Sequence, residues 1–137
     1  TPPLLSLIGF AAWTLCLSLV GIVVPRTLAV LLGRRRANSF TPTAEGEAPW
    51  KQRVARAHMN CVENLPVYGA VVLALAVGGV SDPRIDTLAW VVLGARIAQS
   101  TVHLASTSHW MVTVRATFFF VQLGSILAMV VLGIAGG

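Results

Sequence analysis

Arginines, an asparagine, a glutamate and a histidine interrupt otherwise apolar sequence at helical spacing. Arg56, Asn60 and Glu63 stand at i, i+4 and i+7, as do Arg96, Ser100 and His103, so each set falls on one helix face. Arg53 precedes the first set, Gln99 lies beside the second, and Arg115 opens a later apolar run. Several cations with one carboxylate suit a small anionic ligand that also carries an amine or amide. Guanidinium groups grip carboxylates through paired hydrogen bonds, and a carboxylate such as Glu63 accepts an ammonium.

Each residue also has a purely structural reading. Glu63 paired with Arg56 or Arg96 would glue helices together. Arg53 and Lys51 would contact lipid phosphates near a membrane interface. His103 would serve as a hydrogen-bonded packing residue, His58 and His109 as interfacial groups, and Tyr68 and Phe118 to Phe120 as packing or lipid-facing rings. No two histidines have metal-ligand spacing, and there is no phosphate loop, nucleophile elbow or Ser/His/Asp arrangement.

The elements that carry these residues read as an all-α integral membrane bundle. Of 137 residues, 55% are hydrophobic and 11% charged, whereas a soluble domain carries about 25% charged residues. Residues Thr1 to Pro25, Asn64 to Ser81, Ile97 to Val114 and Ala116 to Gly137 contain no Asp, Glu, Lys or Arg. A spanning helix needs roughly 20 mostly apolar residues. The runs are continuous rather than alternating, which excludes a transmembrane barrel. One domain over residues 1–137 follows, with helices at about 3–33, 50–79, 83–106 and 109–134. The first is too long for one perpendicular span and should kink at Pro25. It reads as a retained helix, since its apolar run is longer than a signal core and no basic segment precedes it.

Residues 37–49 form the one substantial loop, with Pro42, Gly46 and Pro49 as breakers and the greatest expected mobility. Gly78 to Pro83 make a tight turn, and Ser106-Thr107-Ser108 can end the third helix and cap the fourth. The first loop and its flanks hold Arg26, Arg34, Arg35, Arg36, Lys51, Arg53 and Arg56, which places this loop in the cytoplasm and both termini outside. The same topology explains the net charge of +5 without nucleic acid. Cys16 and Cys61 read as reduced, buried thiols. The short chain without a retention tail points to a bacterial inner membrane.

The stretch RVARAHMNCVENLPVYG, Arg53 to Gly69, resembles the second-helix signature of the MAPEG family, the membrane-associated proteins of eicosanoid and glutathione metabolism. The likeness extends to GARIAQSTVHLAS and to Arg115, and covers the four-helix plan. It implies a homotrimer that binds glutathione between subunits at the cytoplasmic side. By resemblance, Arg56, Asn60, Glu63 and Arg96 line or brace the glutathione site, and Arg115 lies near the sulfur as the catalytic residue; Arg53 and His103 are further candidates for holding the cofactor. A cation there favours the thiolate. The implied function is a glutathione-dependent transferase or peroxidase acting on hydrophobic electrophiles or lipid peroxides. Alternatives are a non-catalytic lipid- or hydrophobe-binding protein and an accessory subunit of a larger membrane complex. Four positions depart from the prostaglandin E synthase branch: Met59 replaces an arginine, Gln99 a histidine, His103 a tyrosine and Ala116 a serine. They argue against that specific activity.

Overall fold

The computed structural model describes residues 1–41, 44–105 and 109–137. Pro42, the capping stretch Ser106 to Ser108 and the side chain of His109 lie outside the described residues. Four helices are long and apolar enough to cross a membrane: α1 (Pro2–Leu31), α2 (Pro49–Val77), α3 (Pro83–Ala105) and α4 (His109–Gly136). The described residues contain no strand. The chain is therefore an all-helical, multi-pass integral membrane protein. The outer surface agrees with that solvent, since Val77 is 90% and Ile134 77% exposed. Such side chains need hydrocarbon around them.

The helix ends follow from local chemistry. Gly33 (φ 72°) and Gly79 (φ 67°) end α1 and α2 in the left-handed region, where a side chain would be strained. The N–H of Arg34 then reaches the Ala29 carbonyl at 2.9 Å, and that of Val80 the Leu75 carbonyl at 3.0 Å. Both bonds satisfy carbonyls left over at a helix end. Pro49, expected to break structure, instead opens α2, where its missing N–H costs nothing. Pro83 opens α3 in the same way, and Asp82 Oδ1 accepts the Arg84 N–H at 2.8 Å.

α1 is not uniform. Residues Leu19–Val23 form a π-helical turn just ahead of Pro25. The proline ring would collide with the carbonyl four residues back, that of Gly21, and the widened turn removes this conflict. Gly21 is buried against Val54 of α2, and a Cβ there would overlap the valine side chain. The distortion expected at Pro25 is thus placed one turn earlier.

α1 packs on α2 and α3, while α4 packs chiefly on α3 and only slightly on α2. Phe10, Tyr68, Val72, Ile85, Val92 and Met129 are fully buried at the centre. The Ser6 hydroxyl donates to the Ala89 carbonyl (2.6 Å) and accepts from Tyr68 (2.8 Å), tying three helices through one polar knot. Such bonds inside membranes contribute about 0.6 kcal/mol each on average. Cys61 is buried, but Cys16 is exposed, which corrects the expectation of two buried thiols. Cys16 lies on the outer face of α1, where the apolar surroundings are lipid rather than protein.

The segment between α1 and α2 is held by named contacts. Arg35 bonds the Glu47 carboxylate and also the Ser39 carbonyl (2.7 Å), and Lys51 lies 3.4 Å from Glu47. Arg26 donates to the Thr41 carbonyl at 2.7 Å. Burial opposes ionisation of Glu47, but the hydrogen bond and charge of Arg35, with Lys51, outweigh it and hold the carboxyl below its ordinary value.

Candidate functional site

The first polar face of α2 lies open on the single chain. Arg56 and Glu63 are exposed and Asn60 is half-buried between them. The same face continues through Ala70, Ala74 and Gly78, all exposed. A stripe of small residues allows another helix to approach closely. No ion pair joins Glu63 to Arg56 or Arg96 among the described residues, whose three pairs are Arg35–Glu47, Lys51–Glu47 and Arg84–Asp82.

The second face turns inward. Arg96 is 1% exposed, with its Cζ 5.6 Å from the centre of the Phe10 ring. Its Nε and Nη2 have no hydrogen-bond partner among the described residues. The Cys61 thiol is within its hydrogen-bonding reach and Glu63 within its electrostatic reach, and Cys61 Sγ lies 3.7 Å from Ser100 Oγ. A cation over an aromatic face is partly stabilised by the ring, yet a guanidinium inside a membrane bundle remains costly.

His103 is the point where three helices meet. It is half-buried and lies within electrostatic reach of Arg115, Arg56 and Arg96, one arginine from each of α4, α2 and α3. Its Nδ1 is buried without a partner among the described residues. The structure therefore gathers Arg56, Arg96, Arg115 and His103 at one end of the bundle. Asn60 and Glu63 border this group on the open face of α2. Arg53 is differently engaged: its Nε donates to the Leu104 carbonyl at 2.9 Å and satisfies a last-turn carbonyl of α3.

One polar link was not anticipated from sequence. Gln122 Nε2 donates to Gln99 Oε1 (2.9 Å) and to the Phe118 carbonyl (3.1 Å). Gln99 Nε2 in turn donates to the Arg115 carbonyl at 3.2 Å. Both glutamines are buried. The available signal was a lone amide in the charge-free run of α4, facing another on α3.

An apolar groove of about 480 Å³ lies between α2 and α4, lined by Ala70, Ala74, Leu75, Gly78, Met129 and Gly133 among others. It sits toward the opposite end of these helices from the arginine group. It suits an alkyl chain or a helix, and contributes no charge to the polar site.

The arrangement has the donors for an anion with several carboxylates and one acceptor for an amine. Exposed Arg56 and half-buried Arg115 are accessible from outside the subunit, and Arg96 supplies positive potential from within. Unpartnered guanidinium and imidazole nitrogens are the orphaned polar atoms expected where a polar ligand completes the bonding. The model of the MAPEG family matches residues 4–135 of the chain. No curated protein and no solved structure matches it.

Proposed function

The chain belongs to the MAPEG family, and on that footing we propose that it is a glutathione-dependent transferase or peroxidase acting on hydrophobic electrophiles or lipid peroxides. Family membership supports a membrane-embedded, glutathione-related function at the level of the family. The observation that carries the finer reading is the convergence of Arg56, Arg96 and Arg115 on His103.

Arg56, with Arg96 behind it, holds the carboxylates, Glu63 takes the ammonium, and Asn60 bonds the peptide amides. Arg53 braces the site by fixing the end of α3. Arg115 stands beside the sulfur and favours its ionised form. His103 offers its unpartnered nitrogen to the same ligand. Glutathione, when bound, supplies the thiolate that forms a thioether as it displaces the leaving group of an electrophile, or, together with a second glutathione, reduces a peroxide to an alcohol and water and leaves as the disulfide. The open face of α2, from Arg56 to Gly78, supports assembly as a homotrimer in which a neighbouring copy closes the site. The charge distribution supports a cytoplasmic position for this end, with both termini outside.

Isothermal titration of glutathione into the purified protein tests the reading. Saturable binding is expected. Loss of one charge-assisted contact costs about 1.5–3 kcal/mol, so Arg56→Ala and Glu63→Ala should each weaken binding roughly tenfold or more. An absence of binding at millimolar glutathione would sink the proposal. A second reading, a non-catalytic hydrophobe-binding protein, is favoured by Ala116, which places no hydroxyl beside Arg115. It predicts glutathione binding without turnover of electrophiles, or retention of lipid in the α2–α4 groove alone.

A further inference from the structure

The end of α1 combines cations with exposed apolar side chains in a way the glutathione reading does not use. α1 contains 30 residues and is therefore about 45 Å long, whereas the hydrocarbon core is about 30 Å thick. Its last turns consequently lie at headgroup level. Leu28, Leu31 and Leu32 are 52%, 76% and 62% exposed there. Arg34 and Arg36 are also exposed, and neither joins an ion pair among the described residues.

Between this helix end and the following segment runs a groove of about 450 Å³, lined by Arg26, Thr27, Val30, Leu31, Ala37 and Phe40. The Phe40 ring lies 5.1 Å from Arg26 Cζ and 4.4 Å from Arg35 Cζ, so it holds the groove wall upright between two guanidinium groups. Glu47 answers the charge of Arg35. Arg26 donates one nitrogen to the Thr41 carbonyl and, among the described residues, pairs with no carboxylate. The groove is thus cationic on one side and apolar on the other.

We propose that this groove binds an anionic phospholipid, with the phosphate held by Arg26 and attracted by the exposed charges of Arg34 and Arg36 that follow the helix end, and an acyl chain laid along Val30 and Leu31. Water would leave the leucines unsatisfied, and hydrocarbon would leave the arginines so. A molecule with a phosphate joined to an alkyl chain meets both needs at the depth where α1 ends. Free phosphate meets only half of them. The site is separate from the arginine group around His103, so either proposal can fail without the other.

The test uses the full chain in detergent, incubated with phosphatidylglycerol, phosphatidylcholine or inorganic phosphate and read by native mass spectrometry. Wild type should retain phosphatidylglycerol in preference to phosphatidylcholine. Each arginine removed should reduce retention on the order of fivefold, so the R34Q/R36Q double variant loses most of it. Arg84→Gln, at the other end of the bundle, should retain the lipid as wild type does. Circular dichroism checks that each variant keeps its helices. Equal retention of the two lipids, undiminished retention by R34Q/R36Q, or displacement of the lipid by equimolar inorganic phosphate would each overturn the proposal.

Discussion

Replacing Arg96 by methionine should make the fold more stable and the protein less able to bind its ligand. Arg96 is 1% exposed and makes no ion pair within 4 Å among the described residues. An arginine at the centre of a membrane helix costs about 2.5–3.5 kcal/mol on insertion scales, which is the upper value for Arg96 toward one end of the bundle. The contact with Phe10 at 5.6 Å returns about 2 kcal/mol when desolvated. Methionine is unbranched and adaptable, so it can occupy much of the same space without a charge. The difference leaves Arg96→Met more stable by at most roughly 0.5–1.5 kcal/mol. Reversible unfolding in mixed micelles measures this directly. In a Phe10→Leu background the gain should grow by about 2 kcal/mol, because the ring contact is already absent. Glutathione affinity, measured in parallel by titration, should fall at least tenfold if the guanidinium supplies the potential for the ligand. A variant that is less stable yet binds glutathione normally would refute the reasoning, since Arg96 would then be a compensated structural cation.

Two further perturbations address the elements that hold the site in place. The Glu47 carboxyl is held below its ordinary value of 4.5, so its contribution is complete above about pH 4.5 and is lost as pH falls through the lowered value; hydrogen exchange of residues 34–41 should accelerate across that window in wild type, and Glu47→Gln should exchange faster at neutral pH with little further change on acidification. Gly21→Ala should destabilise the protein by about 1–3 kcal/mol through overpacking, because a Cβ there overlaps Val54; Gly21→Ala combined with Val54→Ala should recover most of the loss, and an undiminished midpoint in the single variant would show that α1 and α2 do not meet as described.

The four helices were legible because hydropathy and length decide which segments can cross a bilayer, and their ends fell within about two residues of expectation. The π-helical turn was not legible. It depends on Gly21 meeting Val54 across a helix interface, while Pro25 signals only that some distortion is needed nearby. Spacing showed that Arg96, Ser100 and His103 share a face, but periodicity cannot say whether that face meets lipid, a ligand or the bundle interior. The packing of α1 decides this by placing Phe10 against Arg96. Cys16 illustrates the same limit: inside a membrane, an apolar position can face protein or lipid with equal comfort.

The structure also sorts the four positions that depart from the resembling motif. Gln99 is buried, and its amide bonds both the Gln122 side chain and the Arg115 carbonyl. Its identity is accounted for by the α3–α4 interface, where it helps set the position of the turn that presents Arg115. In the sequence Gln99 is a departure from the motif; in the fold it is a brace behind the residue proposed to face the sulfur. His103 keeps a buried ring nitrogen without a partner among the described residues, within electrostatic reach of the three arginines, so the polarity of that position survives the change of side chain. Met59 and Ala116 are different, because both are exposed on the subunit and neither offers a charge or a hydroxyl. On the proposed function, these two positions are the ones where a changed side chain bears on binding and turnover. Restoring the motif tests that division: Met59→Arg should tighten glutathione binding, and Ala116→Ser should raise turnover at nearly unchanged affinity. If Ala116→Ser instead leaves turnover unchanged while Gln99→His raises it, the division argued from burial is wrong.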